Sequence, residues 1–270
     1  MSSIWRLVYS SPASGRENMA ADEALLEAVT QRVAAPTLRF YAWDPPCLSL
    51  GRAQPLAQVD LVRLEAEGWD WVRRPTGGRA ILHTDELTYA VAGPIDEPDL
   101  AGGVLDSYRR LSAGLVRGLE LLGIQPDPPA ETHVDDAGRQ QPVCFEVPSA
   151  YEITVGGRKL IGSAQVRRRG GVLQHGTLPL GGDLTRICRV LRYPDELARR
   201  AAADRLSAHA VTLEELLGRR VGWQEAATAL AKGFDEALGW PLESTTTSET
   251  ESVSTRSGEG LPASVRQVGG

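Results

Sequence analysis

Between residues 150 and 178 three short β-prone runs follow one another, and two pairs of glycines separate them. Residues 150–155, 158–166 and 172–178 are rich in Ile, Val, Leu and Thr. Gly156-Gly157 and Gly170-Gly171 supply the positive-φ positions that tight turns require. The spacing predicts a strand meander, and the rest of the chain has to be arranged around it. Upstream, residues 4–9, 37–43, 47–50, 69–73, 79–83 and 87–91 read as further strands. The clearest helix spans 105–122, with Leu105, Tyr108, Leu111, Leu115, Leu119 and Leu122 along one stripe and Gly123 as a stop. Residues 18–29 form a second helix, with Met19, Ala21, Ala24, Leu25, Ala28 and Val29 on one face. A short helix over 60–67 ends at Gly68. Beyond the meander, 195–203, 212–217 and 224–238 read as helices.

Strands and helices are interspersed without an internal repeat or a linker, so the expected fold class is mixed α/β (α+β), in one domain over 1–240. Residues 125–142 are rich in Pro, Asp and Gly and read as a loop. Residues 241–270 are rich in Ser, Thr, Glu and Gly and bury too little apolar surface to offset their ordering entropy, so they are expected to be a disordered tail.

Charge and composition exclude several functions. The formal net charge is -6, the wrong sign for a general nucleic-acid binder. No run of about 18 apolar residues is present, so no membrane span is expected. The N-terminus lacks the basic start and apolar stretch of a secretory signal. Three widely spaced cysteines, Cys47, Cys144 and Cys188, suit neither a disulfide framework nor a zinc knuckle, and the expected compartment is the reducing cytoplasm.

Four places hold residues capable of chemistry. RRPTGGRAILH (73–83) ends a strand in two arginines and opens a glycine loop. It reads either as a ligand-binding loop or as a tight hairpin with exposed arginines. Cys144 leaves the Pro-rich loop just before a strand pair; Cys47 and Cys188 are assigned as core fillers. The third place is Lys159. The chain has 27 arginines and only two lysines, so this residue next to Arg158 is either a proton-handling amine or a solvated turn lysine. A two-residue Gly156-Gly157 loop pairs Val155 with Arg158 and Thr154 with Lys159. Tyr151, Ile153, Val155, Leu160, Gly162, Ala164 and Val166 then form a core face. Glu152, Thr154, Lys159, Ile161, Ser163 and Gln165 form a polar face that could floor a cleft, and one bulge would spoil this register. The fourth is His175, which interrupts an apolar strand. Taken singly, His83, His133 and His209 read as structural. Arg167, Arg168 and Arg169 are either a basic tip that steers acidic partners or a solvated turn.

Five motifs, NMAADEALL (18–26), RRPTGGRAILH (73–83), CFEVPSAYEI (144–153), GRKLIGSAQ (157–165) and LQHGTL (173–178), stand in the order found in the biotin/lipoate protein ligase superfamily. Over roughly residues 4–190 the chain resembles that superfamily, and within it the cysteine-dependent octanoyltransferases. Arg79 stands where the ATP-dependent lipoate ligases carry a third glycine, and Cys144 in the region of their Asn-Asp pair. The amidotransferases that pass octanoyl between lipoyl domains share the cysteine but tend to lack the QHGTL form. The resemblance implies a central mixed sheet flanked by helices and an acyl cleft beside the glycine loop. It implies Cys144 as nucleophile toward octanoyl-acyl carrier protein, Lys159 as its catalytic partner, and a lipoyl-domain lysine as acceptor, with no cofactor and no metal. It places Arg73, Arg74, Gly77, Gly78, Arg79, His83, Gly162, Ser163 and His175 at the substrate. Two other readings stand beside it: an ATP-dependent lipoate–protein ligase, and a non-catalytic protein that binds octanoate or lipoyl domains.

Overall fold

The computed structural model describes residues 3–128 and 152–244. The chain runs β1 (Trp5–Tyr9), α1 (Gly15–Thr30), β2 (Thr37–Tyr41), β3 (Cys47–Leu50), α2 (Leu61–Ala66), β4 (Asp70–Arg73), β5 (Ile81–His83) and β6 (Glu86–Pro94). It continues with α3 (Val104–Leu121), β7 (Ile153–Val155), β8 (Arg158–Arg168), β9 (Gly171–Pro179), α4 (Ile187–Val190), α5 (Glu196–His209), α6 (Leu213–Leu217), α7 (Trp223–Leu238) and β10 (Leu242–Ser244).

Seven strands form one mixed sheet in the order β10-β1-β2-β6-β9-β8-β7; β4, β3 and β5 form a second, smaller sheet. The predicted meander is present, with β7, β8 and β9 pairing antiparallel in sequence. The alternation of β6 sets the layers. Leu87, Tyr89 and Val91 join the core beneath α3 and α7, while Ala90 and Ala92 pack with Met19, Leu25, Leu26 and Val29 of α1 on the opposite face. Full burial of each such aliphatic side chain contributes about 1.5–3 kcal/mol. The small sheet closes a third cluster with α2, α4 and α5, around Leu48, Leu50, Leu64, Val190 and Leu206. No helix among the described residues is long and apolar enough to cross a membrane.

Several sequence expectations are corrected in detail. On α1 the buried stripe holds Asn18 and Asp22 together with Met19, Leu25, Leu26 and Val29, whereas Ala24 is exposed. Ser14 starts this helix four residues before the expected onset, through a capping box with Glu17. On α3, Leu105 is 49% exposed, and Gly114 and Gly118 lie on the buried face instead. The Val155–Arg158 and Thr154–Lys159 pairs form as expected. The register then shifts between Ile153 and Thr154, and Ile153 pairs with Ile161. Within the stretch expected to be a tail, Leu242–Ser244 form an edge strand parallel to β1; just before it Trp240, the last residue of the expected domain, stacks on Trp5 with ring centroids 3.6 Å apart. Residues 245–270 lie outside the described part.

Candidate active site

A narrow cavity opens where the α1-facing side of the large sheet meets the small sheet and the glycine loop. Its volume is about 40 Å³, and its mouth opens to solvent. Its walls come from Met19, Tyr41, Trp43, Ser49, Arg74, Gly78, Ile81, His83 and Thr88, and from Gly162, Ser163, Ala164, His175, Gly176 and Thr177. Most of the exposed lining is apolar, and its polar side chains are engaged in hydrogen bonds, many of them to groups behind the wall. Such a pocket suits an alkyl chain with a polar end.

The glycine loop is held from below. Arg74 is buried and donates to the carbonyls of Ser49, Gly77 and Arg79, and to Ser49 Oγ. Gly51 fits beneath the loop because it has no side chain: a Cβ there would lie 2.0 Å from the Gly78 carbonyl oxygen. Gly78 itself has φ 90°, a conformation that favours glycine. Arg73 is drawn away from the cavity, its guanidinium donating to the carbonyls of Gly51, Arg52 and Gln54. The loop therefore positions backbone at the cavity rim, and its first two arginines brace it.

Two parallel chains of carboxylate, imidazole and hydroxyl reach the cavity. In one, His175 Nδ1 lies 3.0 Å from Asp22 Oδ2 and His175 Nε2 lies 2.7 Å from Thr76 Oγ1. Asp22 also accepts from Arg39 at 2.8 Å and from the Tyr41 hydroxyl at 2.9 Å. Burial alone would raise the Asp22 carboxyl, but the His175 bond, the Arg39 charge and the Tyr41 hydroxyl together hold it below its ordinary value. Burial pushes His175 down, against the pull of Asp22, so the imidazole is neutral at neutral pH.

In the other chain His83 Nδ1 lies 2.8 Å from Glu86 Oε1 and His83 Nε2 lies 2.7 Å from Ser49 Oγ. The Glu86 carboxylate also accepts the Thr88 and Thr177 hydroxyls. Trp43 donates its indole N–H to Thr88 and stacks on His83 with centroids 3.9 Å apart.

Of the residues expected at the substrate, Arg74, Gly78, His83, Gly162, Ser163 and His175 line this cavity together. Arg73, Gly77, Arg79 and Lys159 are not among the described residues that line it. Lys159 is fully buried, with its ammonium against the Glu152 carboxylate and its carbonyl accepting from Val211 N–H. It is not a solvated turn lysine. The stretch holding Gly162 and Ala164 lines the cavity, and Ser163 turns its hydroxyl to Tyr89. Cys144 and His133 lie outside the described residues. His209 is exposed at the end of α5, bonded to the Arg205 carbonyl.

Cys47 and Cys188 are buried, as expected of core fillers. Burial pushes the Cys47 thiol far up, and the Asp70 and Glu86 carboxylates add to this. Asp22, Ser49, Thr76 and Glu86 were not foreseen. The one signal in the sequence is the i, i+4 pair Asn18 and Asp22 in line with the Leu25–Val29 stripe of α1, polar groups in a position that demands partners.

The sequence profile of the lipoyl protein ligase A/B catalytic domain matches residues 14–235. The chain belongs to this family. Among its curated relatives, octanoyltransferase LipM of Kyrpidia tusciae is 44% identical over 246 residues, covering 88% of this chain and 89% of the relative. Octanoyltransferase LipM of Symbiobacterium thermophilum is 45% identical over 249 residues, covering 90% and 89%. A solved chain of the archaeal lipoylation system of Thermoplasma acidophilum, a bipartite lipoate protein ligase and its E2 lipoyl domain, superimposes with a TM-score of 0.73. It is 26% identical, with 94% of this chain and 91% of that chain covered. The central mixed sheet flanked by helices is thus the lipoate ligase fold, as the motif order implied.

Proposed function

We propose that this protein is an octanoyltransferase of lipoate biosynthesis, which takes octanoyl from acyl carrier protein onto Cys144 and passes it to a lysine of a lipoyl domain. The class of reaction is supported by octanoyltransferase relatives that share close to half of its residues over nearly their whole length. The covalent step is what the resemblance to cysteine-dependent octanoyltransferases implies, and of the three cysteines Cys47 and Cys188 are buried and Cys47 is held in the thiol form. A thiolate is the nucleophile in such chemistry, which leaves Cys144 as the candidate. The described chain on either side of the Cys144 segment meets at the β7–β8 hairpin. Asp127 accepts from the Gly156 and Gly157 N–H groups on one side, and Glu152 pairs with Lys159 on the other.

The chemistry runs in two balanced steps. The Cys144 thiolate attacks the octanoyl thioester carbonyl, and the carrier leaves as its thiolate, which takes up the proton that Cys144 had lost. The acceptor amine then attacks the acyl-enzyme, giving an amide and restoring the Cys144 thiol. The apolar cavity receives the alkyl chain, and Lys159 supplies positive charge toward the thiolate and the developing oxyanion. Incubation with octanoyl-acyl carrier protein should add one octanoyl mass to the intact protein, removable by hydroxylamine. Cys144→Ala should abolish the adduct, while Cys47→Ala and Cys188→Ala should keep it. An adduct that survives Cys144→Ala overturns the mechanism. Transfer to a lipoyl domain that requires added nucleotide moves the protein to the ligase class.

A further inference from the structure

Residues 45–59 and 71–84 together hold four arginines, Arg52, Arg73, Arg74 and Arg79, and no aspartate or glutamate, in a chain that carries 35 acidic residues. The fold joins the two stretches at one end of the small sheet. β3 runs beside β4 up to the Leu50–Arg73 pair, and the Arg52 N–H then donates to the Thr76 carbonyl at 2.8 Å. Arg73 closes the joint through the carbonyls of Gly51, Arg52 and Gln54. Gly78 lies against Gly51 and lines the cavity, so this end of the sheet borders the cavity rim.

The charge gathered there is not cancelled. Arg52 and Arg73 are exposed and Arg79 is half-buried. Arginines elsewhere, such as Arg32, Arg158, Arg186 and Arg219, hold carboxylates. Arg52, Arg73 and Arg79 hold none among the described residues, and Arg73 spends its donors on neutral carbonyls. On β4 the nearest carboxylate, Asp70, stands three residues before Arg73. That is roughly 10 Å along a strand, about a Debye length at physiological salt. Three guanidiniums on a braced backbone thus make a positive patch in a protein of net charge -6. The 167–169 tip lacks this property, since Arg169 lies 4.0 Å from Glu27.

An acidic carrier domain is repelled by the enzyme as a whole and attracted by this patch, which selects the face on which the two can meet. We propose that Arg52, Arg73 and Arg79 form the docking surface for the acidic acyl carrier domain that delivers octanoyl. The proposal rests on the acyl-enzyme reading above and names the face on which its donor sits. The patch acts on encounter and orientation; it makes and breaks no covalent bond.

The test measures the second-order rate of thioester formation from two donors: octanoyl-acyl carrier protein, and octanoyl-phosphopantetheine, which is the same arm without the protein. Their ratio isolates the contribution of the carrier's body. Arg52→Ser combined with Arg79→Ser should lower the ratio by about tenfold or more, within the range of electrostatically steered encounters, and the loss should shrink as salt is raised. Arg168→Ser combined with Arg169→Ser removes the same charge elsewhere and should keep the wild-type ratio. Arg52→Glu reverses charge at an exposed site whose side chain has no partner among the described residues. It should also lower the ratio, and it keeps the test decisive where the first double variant fails to fold. An unchanged ratio, an equal loss on both donors included, or the same fall in both double variants overturns the docking surface and leaves the acyl-enzyme standing. A wild-type protein that forms no thioester from either donor overturns the acyl-enzyme reading itself.

Discussion

Buried charge at this site is handled by pairing, and the pairing has consequences that can be titrated. Asp22 holds Arg39, Tyr41 and His175 around one carboxylate, and burial keeps His175 neutral in the folded protein. The unfolded chain takes up a proton on this imidazole near its ordinary value of about 6.5, whereas the native state takes it up only at lower pH. Stability from His175 is therefore complete above that value and is lost as pH falls below it, by up to about 1.4 kcal/mol per pH unit. The loss stops once pH passes below the depressed native value. His175→Gln should lessen the fall of urea-derived stability as pH drops below about 6.5. An equal slope in variant and wild type would show that His175 titrates normally in the fold. His175, His83 and Arg74 were legible from the motifs that hold them. Asp22, Ser49 and Glu86 were not, because a carboxylate or hydroxyl acquires its role only when two separate elements bring an imidazole within 3 Å.

At the level of elements, the α3–α7 pair shows why periodicity gives the helix but not its partner. The leucine stripe correctly marks α3 as amphipathic, and Leu111, Leu115 and Leu119 are buried. The closest approach, however, is made by glycines. A Cβ on Gly233 of α7 would lie 2.3 Å from the Gly118 nitrogen and 2.4 Å from the Gly114 oxygen of α3. Both are backbone atoms that no rotamer change can move, so the helices must separate. Gly233→Ala should therefore destabilise the protein by about 1–3 kcal/mol or more despite the better helix propensity of alanine. The urea midpoint measures it, and a stabilised variant would mean that the helices do not approach so closely. The bulge beside Thr154 is a related case. The glycine turn fixes the first two pairs, but the register then shifts so that Ile153 meets Ile161, and no residue in the hairpin announces it.

On the scale of the whole molecule, the order of strands and helices was largely readable because most boundaries fall at Gly, Pro or a capping residue. The edge strand Leu242–Ser244 was not, since only pairing with β1 makes a strand of a segment so polar. The same scale decides whether Arg167, Arg168 and Arg169 can draw an acidic carrier toward a chain of net charge -6. Arg167 is half-buried and held, donating to the carbonyls of Leu100, Gly102 and Gly103 and to the Ser107 hydroxyl. Arg168 and Arg169 are exposed but share a surface depression with Glu23 and Glu27, and Arg169 lies 4.0 Å from Glu27. Opposite charges this close cancel within a Debye length of about 8–10 Å, so the tip projects little field. Replacing Arg168 and Arg169 together by Ser should leave carrier-dependent acylation and its salt dependence near wild type. Arg167→Ser should instead lower the melting temperature, because it frees several carbonyls at the start of α3. A steep loss of rate at low salt in the double variant, relieved by added salt, would restore the tip as a steering patch.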